Sequence, residues 1–243
     1  MTANMPEDKG FVSGANADPS AFNSPQDSDI ILRVGKTHFY AHKVVLRMWS
    51  PFFKRTFNSQ FSAYHHVRHC ILHDTLTFDE FQVAKSAIFD FGDEEIPFIV
   101  SMMLKHMYGA TYDRQILALK CGRHIAVAFH IYVYIIADKY DCPSLRTAII
   151  AAVNSELATT GAFWEDPNWC IAWISRVCGP ESPQLADSTL RQVFMDWVGE
   201  NYVEFYKGIK FFKDMIVAGT LLDTQCLSFV LVKLSEDLGK TAT

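Results

Sequence analysis

The sequence predicts an α+β protein in which a small β-sheet is combined with many helices. Runs rich in β-branched and aromatic residues are confined to residues 30–42 and 87–91. Through most of the remaining chain, apolar residues recur at helical spacing. With 49% hydrophobic and 20% charged residues, the chain has the composition of a globular protein. We therefore expect a short sheet packed against helices, followed by a helical extension.

The first two strands are predicted to form a hairpin. Residues 30–34 are Ile-Ile-Leu-Arg-Val, and an extended pattern resumes at residues 38–42. Gly35 and Lys36 lie between the two runs, and glycine favours the tight turns that join antiparallel strands.

Two short helices and a third strand follow the hairpin. Apolar residues at helical spacing predict the first helix over residues 44–48. Ser50 can act as an N-cap and Pro51 fits the first helical position, so a second helix is predicted through residue 57. The third strand is predicted at residues 87–91.

The rest of the chain predicts a succession of helices. The first covers residues 96–107 and ends at Gly109. The next, over residues 122–140, is apolar nearly all round its middle and should be buried on several sides. Pro143 separates it from a helix over residues 144–157. Further helices are predicted at 169–177, at 188–206 behind an Asp187 or Ser188 cap, at 211–219 and at 224–238.

Charge argues against binding to nucleic acid. The chain has 22 basic and 27 acidic side chains, a net charge of −5. Residues 1–27 are rich in Pro, Gly, Ser, Asn and Asp and predict a flexible leader, which carries −3 of this charge. The nearly neutral remainder has no excess of Lys and Arg for phosphate contacts, so direct nucleic-acid binding is not expected.

Neither a membrane span nor a secretory signal is predicted. The longest nearly apolar run, residues 125–137, is shorter than the roughly 18–20 residues that cross a bilayer. The first ten residues lack the basic and apolar regions of a signal peptide. The six cysteines form no Cys-x-x-Cys pair, so we expect reduced thiols and a location in the cytoplasm, the nucleus or both.

No motif predicts an enzyme. Residues 34–37 end like a phosphate-binding loop, but that loop needs a glycine where the chain has Ile30. There is no Gly-x-Ser-x-Gly sequence around a nucleophilic serine. We predict no catalytic residues and no cofactor.

Four histidines are concentrated within residues 65–73. If this segment is helical, His65, His69 and His73 share one face at the spacing of metal ligands. The other interpretation is an exposed insertion, because only one cysteine accompanies the histidines and no His-Glu-x-x-His motif is present. Metal binding through this cluster is therefore an alternative hypothesis, and no metal ligands are assigned.

Several blocks of sequence together resemble the BTB/POZ domain. The opening of that domain is matched by Ser-Asp-Ile-Ile-Leu-Arg-Val-Gly at residues 28–35, by residues 39–46, and by Ser-Pro-Phe-Phe at 50–53 with Phe57. Later blocks are residues 104–112 and the Ala-Asp-Lys-Tyr sequence at 137–140. The helical tail, with Leu190 and Arg191, resembles the extension of stand-alone fungal members of the family.

The resemblance implies a small β-sheet capped by helices, whose role is protein–protein association. Members commonly self-associate, so the expected partners are proteins, in a homodimer or a hetero-oligomer. Asp29 and Lys43 fall where many members place an acid and a base in a charged pocket near the dimer groove. If both charges are partly buried, removal of one should cost about 3–5 kcal/mol. His42 is expected to be a packed, hydrogen-bonded residue at the start of the helix.

The chain departs from the family pattern in two places. Residues 62–79 exceed the usual connection between helix and third strand, which predicts an insertion or an unspliced intron. Adaptors of cullin-type ubiquitin ligases usually have a hydrophobic-x-Glu motif that aligns here with Phe61, Ser62 and Ala63. Because the glutamate is missing, recruitment of a cullin is kept as an alternative to a general interaction module.

These observations predict three regions and a function. The regions are a leader over residues 1–27, a BTB/POZ-like domain over 28–150 and a helical extension over 151–243. The predicted function is non-enzymatic protein–protein interaction and self-association.

Overall fold

The structure is a computed structural model that describes residues 21–58, 87–158 and 167–241. The chain divides into two compact units, Met1–Ala118 and Leu119–Thr243. The domain boundaries predicted after residues 27 and 150 stay predictions. The predicted insertion within residues 62–79 lies outside the described residues.

The described part of the first unit contains a three-stranded mixed sheet. Its strands are β1 (Ile30–Val34), β2 (Thr37–Ala41) and β3 (Ile88–Asp90). The central strand β1 pairs antiparallel with β2 and parallel with β3. Gly35 turns the hairpin with a φ of +54°, a conformation that glycine adopts without steric cost. The predicted hairpin and third strand are confirmed.

Four helices accompany this sheet in the described part of the first unit: α1 (Lys43–Trp49), α2 (Pro51–Asn58), α3 (Pro97–Met107) and α4 (Tyr112–Ala118). The predicted cap of α2 is confirmed, since the Ser50 Oγ accepts a hydrogen bond from the Phe53 backbone N–H at 3.1 Å. Gly109, with a φ of +88°, follows α3 as predicted. The helix α4 was not predicted: Tyr112 is its one buried residue, so the helix has no buried apolar stripe to reveal it.

Aromatic rings fill the space between α2 and the sheet. Phe53 is fully buried, and its ring centroid lies 5.4 Å from that of Phe89 and 6.2 Å from that of Phe91. The Phe52 and Phe57 rings lie 5.2 and 5.6 Å from Phe53. Edge-to-face arrangements dominate this cluster, which is the favoured geometry for aromatic pairs. Phe53 is therefore the centre of the core of the first unit.

Residues 22 and 23, which lie within the predicted leader, contact the sheet. The Phe22 ring lies 6.2 Å from that of Phe39 and 5.8 Å from that of Tyr108. The side-chain oxygen of Asn23 accepts a hydrogen bond from the backbone N–H of Tyr40 in β2. The segment before β1 thus adds both apolar and polar contacts to the hairpin.

The described part of the second unit is helical throughout. Its helices are α5 (Arg123–Lys139), α6 (Pro143–Ala158), α7 (Pro167–Cys178), α8 (Thr189–Gly208), α9 (Lys210–Val217) and α10 (Thr224–Thr241). Each predicted helix of this region is confirmed, with ends that agree within three residues. Along α6 a buried stripe recurs every four residues, at Leu145, Ile149, Val153 and Leu157.

One buried carboxylate joins α5 to the loop before α8. Asp138, only 7% exposed, accepts hydrogen bonds from the backbone N–H groups of Ala186 at 2.7 Å and Asp187 at 3.1 Å. It also pairs with the Arg146 guanidinium of α6 at 3.2 Å. The Asp138 carboxylate therefore connects α5, α6 and the loop before α8.

Asp187 supplies the predicted polar side chain at the start of α8. Its Oδ1 accepts a hydrogen bond from the Thr189 backbone N–H at 2.8 Å, whereas Ser188 makes no side-chain cap. Hydrogen bonding from the Thr189 side chain lowers the pKa of Asp187. Of the two predicted cap residues, Asp187 is the one that bonds the helix.

Two buried histidines predict loss of stability in acid. His106 of α3 and His130 of α5 are 6% and 1% exposed, and burial lowers the pKa of each from 6.5 to about 4. Between these values the unfolded chain binds protons that the folded chain does not, so stability falls as the pH drops below 6.5. We expect a loss of about 1–2 kcal/mol per histidine between pH 7.5 and 5.0.

Urea unfolding of the wild type and of His130→Gln at the two pH values measures this effect. The variant should lose less stability on acidification than the wild type, by the share that His130 contributes. Equal losses in both proteins would contradict the assignment to His130.

Candidate protein-interaction site

The two predicted site residues, Asp29 and Lys43, lie together in the first unit. Asp29 directly precedes β1, and its Oδ1 accepts a hydrogen bond from the backbone N–H of Lys43 at 2.7 Å. Lys43 is the first residue of α1, where N–H groups need acceptors outside the helix and the helix dipole favours a negative charge. The Lys43 Nζ lies over the Phe57 ring, 5.7 Å from its centroid. The acid thus bonds the main chain of the lysine residue and caps α1.

The location of Asp29 changes the energy expected for its removal. Its side chain is exposed, whereas Lys43 is half-buried. Solvent screens an exposed carboxylate, so losing this capping bond should cost about 1 kcal/mol, less than a buried ion pair would. The assignment of Asp29 and Lys43 to a charged pocket near a dimer groove stays a prediction.

His42 forms a hydrogen-bonded junction between the hairpin, α1 and α3. The Tyr108 hydroxyl accepts a bond from the His42 backbone N–H at 2.9 Å and lies 2.8 Å from the ring Nδ1. The His42 Nε2 lies 3.3 Å from the Gln26 carbonyl oxygen. All these contacts are satisfied when Nε2 carries the proton and the Tyr108 hydroxyl donates to Nδ1. This confirms the expectation that His42 is packed and hydrogen-bonded.

Tyr108→Phe should destabilise the first unit by about 1–2 kcal/mol, because it leaves the half-buried Nδ1 and backbone N–H of His42 without the hydroxyl. Hydrogen exchange of the peptides that cover β2 and α1 measures the change. Tyr40→Phe is the matched control, because Tyr40 is 40% exposed in the same unit. If both variants exchanged as the wild type does, the junction would contribute nothing to stability.

Helix α1 presents apolar side chains to solvent. Val44 and Met48 are 60% and 63% exposed and lie one turn apart on the same face. Leu46 on the other side is fully buried, and the Trp49 ring packs edge-on against His106 of α3 at 5.6 Å. One face of α1 is therefore anchored in the core while the other carries two large exposed hydrophobic residues.

Two predicted features fall outside the described residues. The histidine cluster at 65–73 is one, and the Phe61, Ser62 and Ala63 segment that bears on cullin recruitment is the other. Within residues 21–58, 87–158 and 167–241, no group of three or more His, Cys, Asp or Glu side chains could hold a metal ion. Nothing in these ranges supports the metal-binding alternative, and recruitment of a cullin stays a prediction.

The family model of the BTB/POZ domain matches residues 20–83, which include the hairpin, α1 and α2. The chain contains a BTB/POZ domain. A search of curated proteins found no significant match. The predicted likeness to stand-alone fungal members stays a prediction.

The BTB/POZ domain is a protein–protein interaction module and typically has no enzymatic activity. This agrees with the sequence prediction at the level of the domain. The three-stranded mixed sheet with its helices, followed by a helical region, also agrees with the predicted fold class. Among the described helices, none has an apolar stretch long enough to span a bilayer.

Sequence reasoning missed two polar sites of the second unit. Asp138 belongs to the Ala-Asp-Lys-Tyr block, but nothing in that block shows that its partners are Ala186 and Asp187, almost fifty residues later. Arg191 was noted only as part of a family-like tail, whereas it donates a hydrogen bond to Cys226. The sequence did contain one indication of these sites, namely a charged residue within an apolar helical pattern. Such a residue needs a polar partner when it is buried.

Proposed function

We propose that this protein is a self-associating interaction module, and that the exposed face of α1 is the surface through which two copies bind each other. The observation that carries the proposal is the pair Val44 and Met48, which are more than half exposed on a helix whose opposite side is anchored in the core. Two such residues one turn apart can interdigitate with the same face of a second copy, as a two-fold symmetric interface requires.

The surroundings of this face suit a protein partner. Arg47 is also exposed on α1, and the Asp29 carboxylate lies at the start of the helix. An apolar centre with charged groups around it is the usual organisation of a protein interface. Opposite charges at the two ends of α1 would also favour an antiparallel arrangement of two copies, with Asp29 of each near Arg47 of the other.

Sedimentation velocity of the full chain at tens of micromolar tests the proposal. The wild type should sediment as a dimer, and the double variant Val44→Glu/Met48→Glu should sediment as a monomer, because two carboxylates on each face would meet their symmetry mates. Leu117→Glu is the matched control, since Leu117 is 75% exposed on a different helix of the same unit.

The control should leave the dimer intact. A wild type that remains monomeric, or a double variant that dimerises as well as the wild type, would contradict self-association through α1. Circular dichroism of all three proteins checks that the substitutions leave the helical content unchanged.

A further inference from the structure

Two cysteines of the second unit lie at a junction between α7, α8 and α10. Cys178 is the last residue of α7 and Cys226 lies in the first turn of α10. Both are fully buried and neither is in a disulfide. Asp223 forms a hydrogen bond with each of them. Its backbone N–H donates a hydrogen bond to the Cys178 carbonyl at 2.8 Å, and its Oδ1 accepts one from the Cys226 backbone N–H at 2.8 Å. Through these two bonds Asp223 places Cys178 and Cys226 next to each other at the junction.

Arg191 of α8 distinguishes the two sulfur atoms. Its Nε donates a hydrogen bond to the Cys226 Sγ at 3.0 Å, and its guanidinium also pairs with the Asp223 carboxylate. Interaction with the neighbouring Cys178 thiol and the hydrogen bond from Arg191 lower the pKa of Cys226. The same thiol–thiol interaction and burial raise the pKa of Cys178. The guanidinium contact therefore favours the thiolate form at Cys226 over that at Cys178.

We propose that Cys178 and Cys226 are an oxidisable dithiol, in which Cys226 reacts with a peroxide and Cys178 then closes a disulfide with it. The Cys226 thiolate attacks one oxygen of hydrogen peroxide, so the O–O bond breaks, a sulfenic acid forms and hydroxide leaves. The Cys178 sulfur gives up its proton and attacks the sulfenic sulfur. The S–O bond breaks with loss of water, and two electrons have passed from the sulfur pair to the peroxide.

A positive charge at the sulfur favours this chemistry over metal binding. The guanidinium stabilises the thiolate that reacts with the peroxide, whereas it repels a cation from the same sulfur. In agreement, the described residues include no group of three or more potential metal ligands.

Cys142 is an internal comparison for the effect of burial. It is as fully buried as the pair, but burial raises its pKa to about 11, and its sulfur lies 4.0 Å from the Ser144 hydroxyl, with no guanidinium bonded to it among the described contacts. If burial alone controlled oxidation, all three thiols would resist it equally. Faster reaction at Cys226 therefore reports the effect of Arg191 and Cys178.

The disulfide would link the end of α7 to the start of α10 across an intervening segment that contains the whole of α8 and α9. Such a link restricts the unfolded chain, so the oxidised protein should melt at a higher temperature than the reduced protein. A reversible change of this kind suits thiols in a reducing compartment.

The test treats the reduced, full-length protein with hydrogen peroxide and follows each thiol by differential alkylation and peptide mass spectrometry. We expect Cys178 and Cys226 to be lost together, at least ~10-fold faster than Cys142, and to be restored by dithiothreitol. Intact mass should fall by about 2 Da, the mass of two hydrogens.

Three variants identify the roles of the residues. In Cys178→Ser, Cys226 should stop at the sulfenic acid, which dimedone traps. Arg191→Gln should slow oxidation of Cys226 by on the order of 10-fold, while Arg191→Lys, which keeps the charge, should retain part of the rate. The proposal would be overturned if the Cys178 and Cys226 thiols were oxidised no faster than the Cys142 thiol. It would also be overturned if the wild type formed a stable sulfinic acid and no disulfide. The wild-type measurement decides even if a variant fails to fold.

Discussion

Replacement of Asp138 by alanine should lower the free energy of unfolding of the second unit by about 3–5 kcal/mol. The substitution removes the acceptor of two backbone N–H groups, those of Ala186 and Asp187, together with the buried partner of Arg146. The donors would stay buried without this acceptor, so no hydrogen bond would offset the free-energy cost of removing each of them from water. The loss therefore exceeds that of an ordinary surface ion pair, which is worth at most about 1 kcal/mol.

Urea denaturation measures the loss, and hydrogen exchange locates it. Peptides from α5, α6 and the first turn of α8 should exchange faster in Asp138→Ala, because these elements meet at the carboxylate. Asp141→Asn is the matched control: Asp141 also pairs with Arg146, at 3.6 Å, but is 29% exposed, and asparagine tolerates its φ of +46°. The control should cost less than about 1 kcal/mol. Equal effects of the two substitutions would contradict a special role for Asp138.

Phe53→Ala should be as damaging in the first unit, with a loss of about 3–5 kcal/mol. The Phe53 ring is fully buried, and its centroid lies 5.2–6.2 Å from those of Phe52, Phe57, Phe89 and Phe91. Truncation removes the apolar surface of the central ring and leaves a cavity that its rigid neighbours fill only in part. The strand β3, which contributes Phe89, should lose protection from hydrogen exchange along with α2.

Phe98→Ala is the control for this prediction, because Phe98 lies in the same unit but is 41% exposed. It should cost about 1 kcal/mol or less, in proportion to the smaller apolar area that it buries. Phe53→Leu should give an intermediate loss, since leucine fills part of the space. A Phe53→Ala protein as stable as Phe98→Ala would show that the cluster can collapse around the missing ring.

The elements that the sequence predicted well share a local cause. The hairpin around Gly35, the cap at Ser50 and the break at Pro143 each depend on residues a few positions apart. Apolar periodicity likewise located the helices of the second unit. In these cases the information is contained within one turn or one strand, so no knowledge of the fold is needed. The exception is α4, which has one buried residue and therefore no apolar stripe along the helix.

The functional geometry depended on distant contacts. Family resemblance assigned Asp29 and Lys43 to a charged pocket, which stays a prediction, and only the structure shows that the Asp29 carboxylate accepts a hydrogen bond from the Lys43 backbone N–H. The bonds of Asp138 to the Ala186 and Asp187 backbone and the approach of Arg191 to Cys226 join residues 35 to 49 positions apart. No spacing rule relates such residues, because their separation is set by how helices pack.

By itself, the sequence determined the α+β class, the order of the elements and the presence of a BTB/POZ-like opening. These follow from hydrophobic period, turn residues and caps, which act over short distances along the chain. Only the tertiary structure decided which apolar residues stay exposed, as Val44 and Met48 do, and which buried polar groups meet, as Cys178, Cys226 and Arg191 do. Burial and partner choice are properties of packed surfaces, and residues far apart in the chain contribute to each surface.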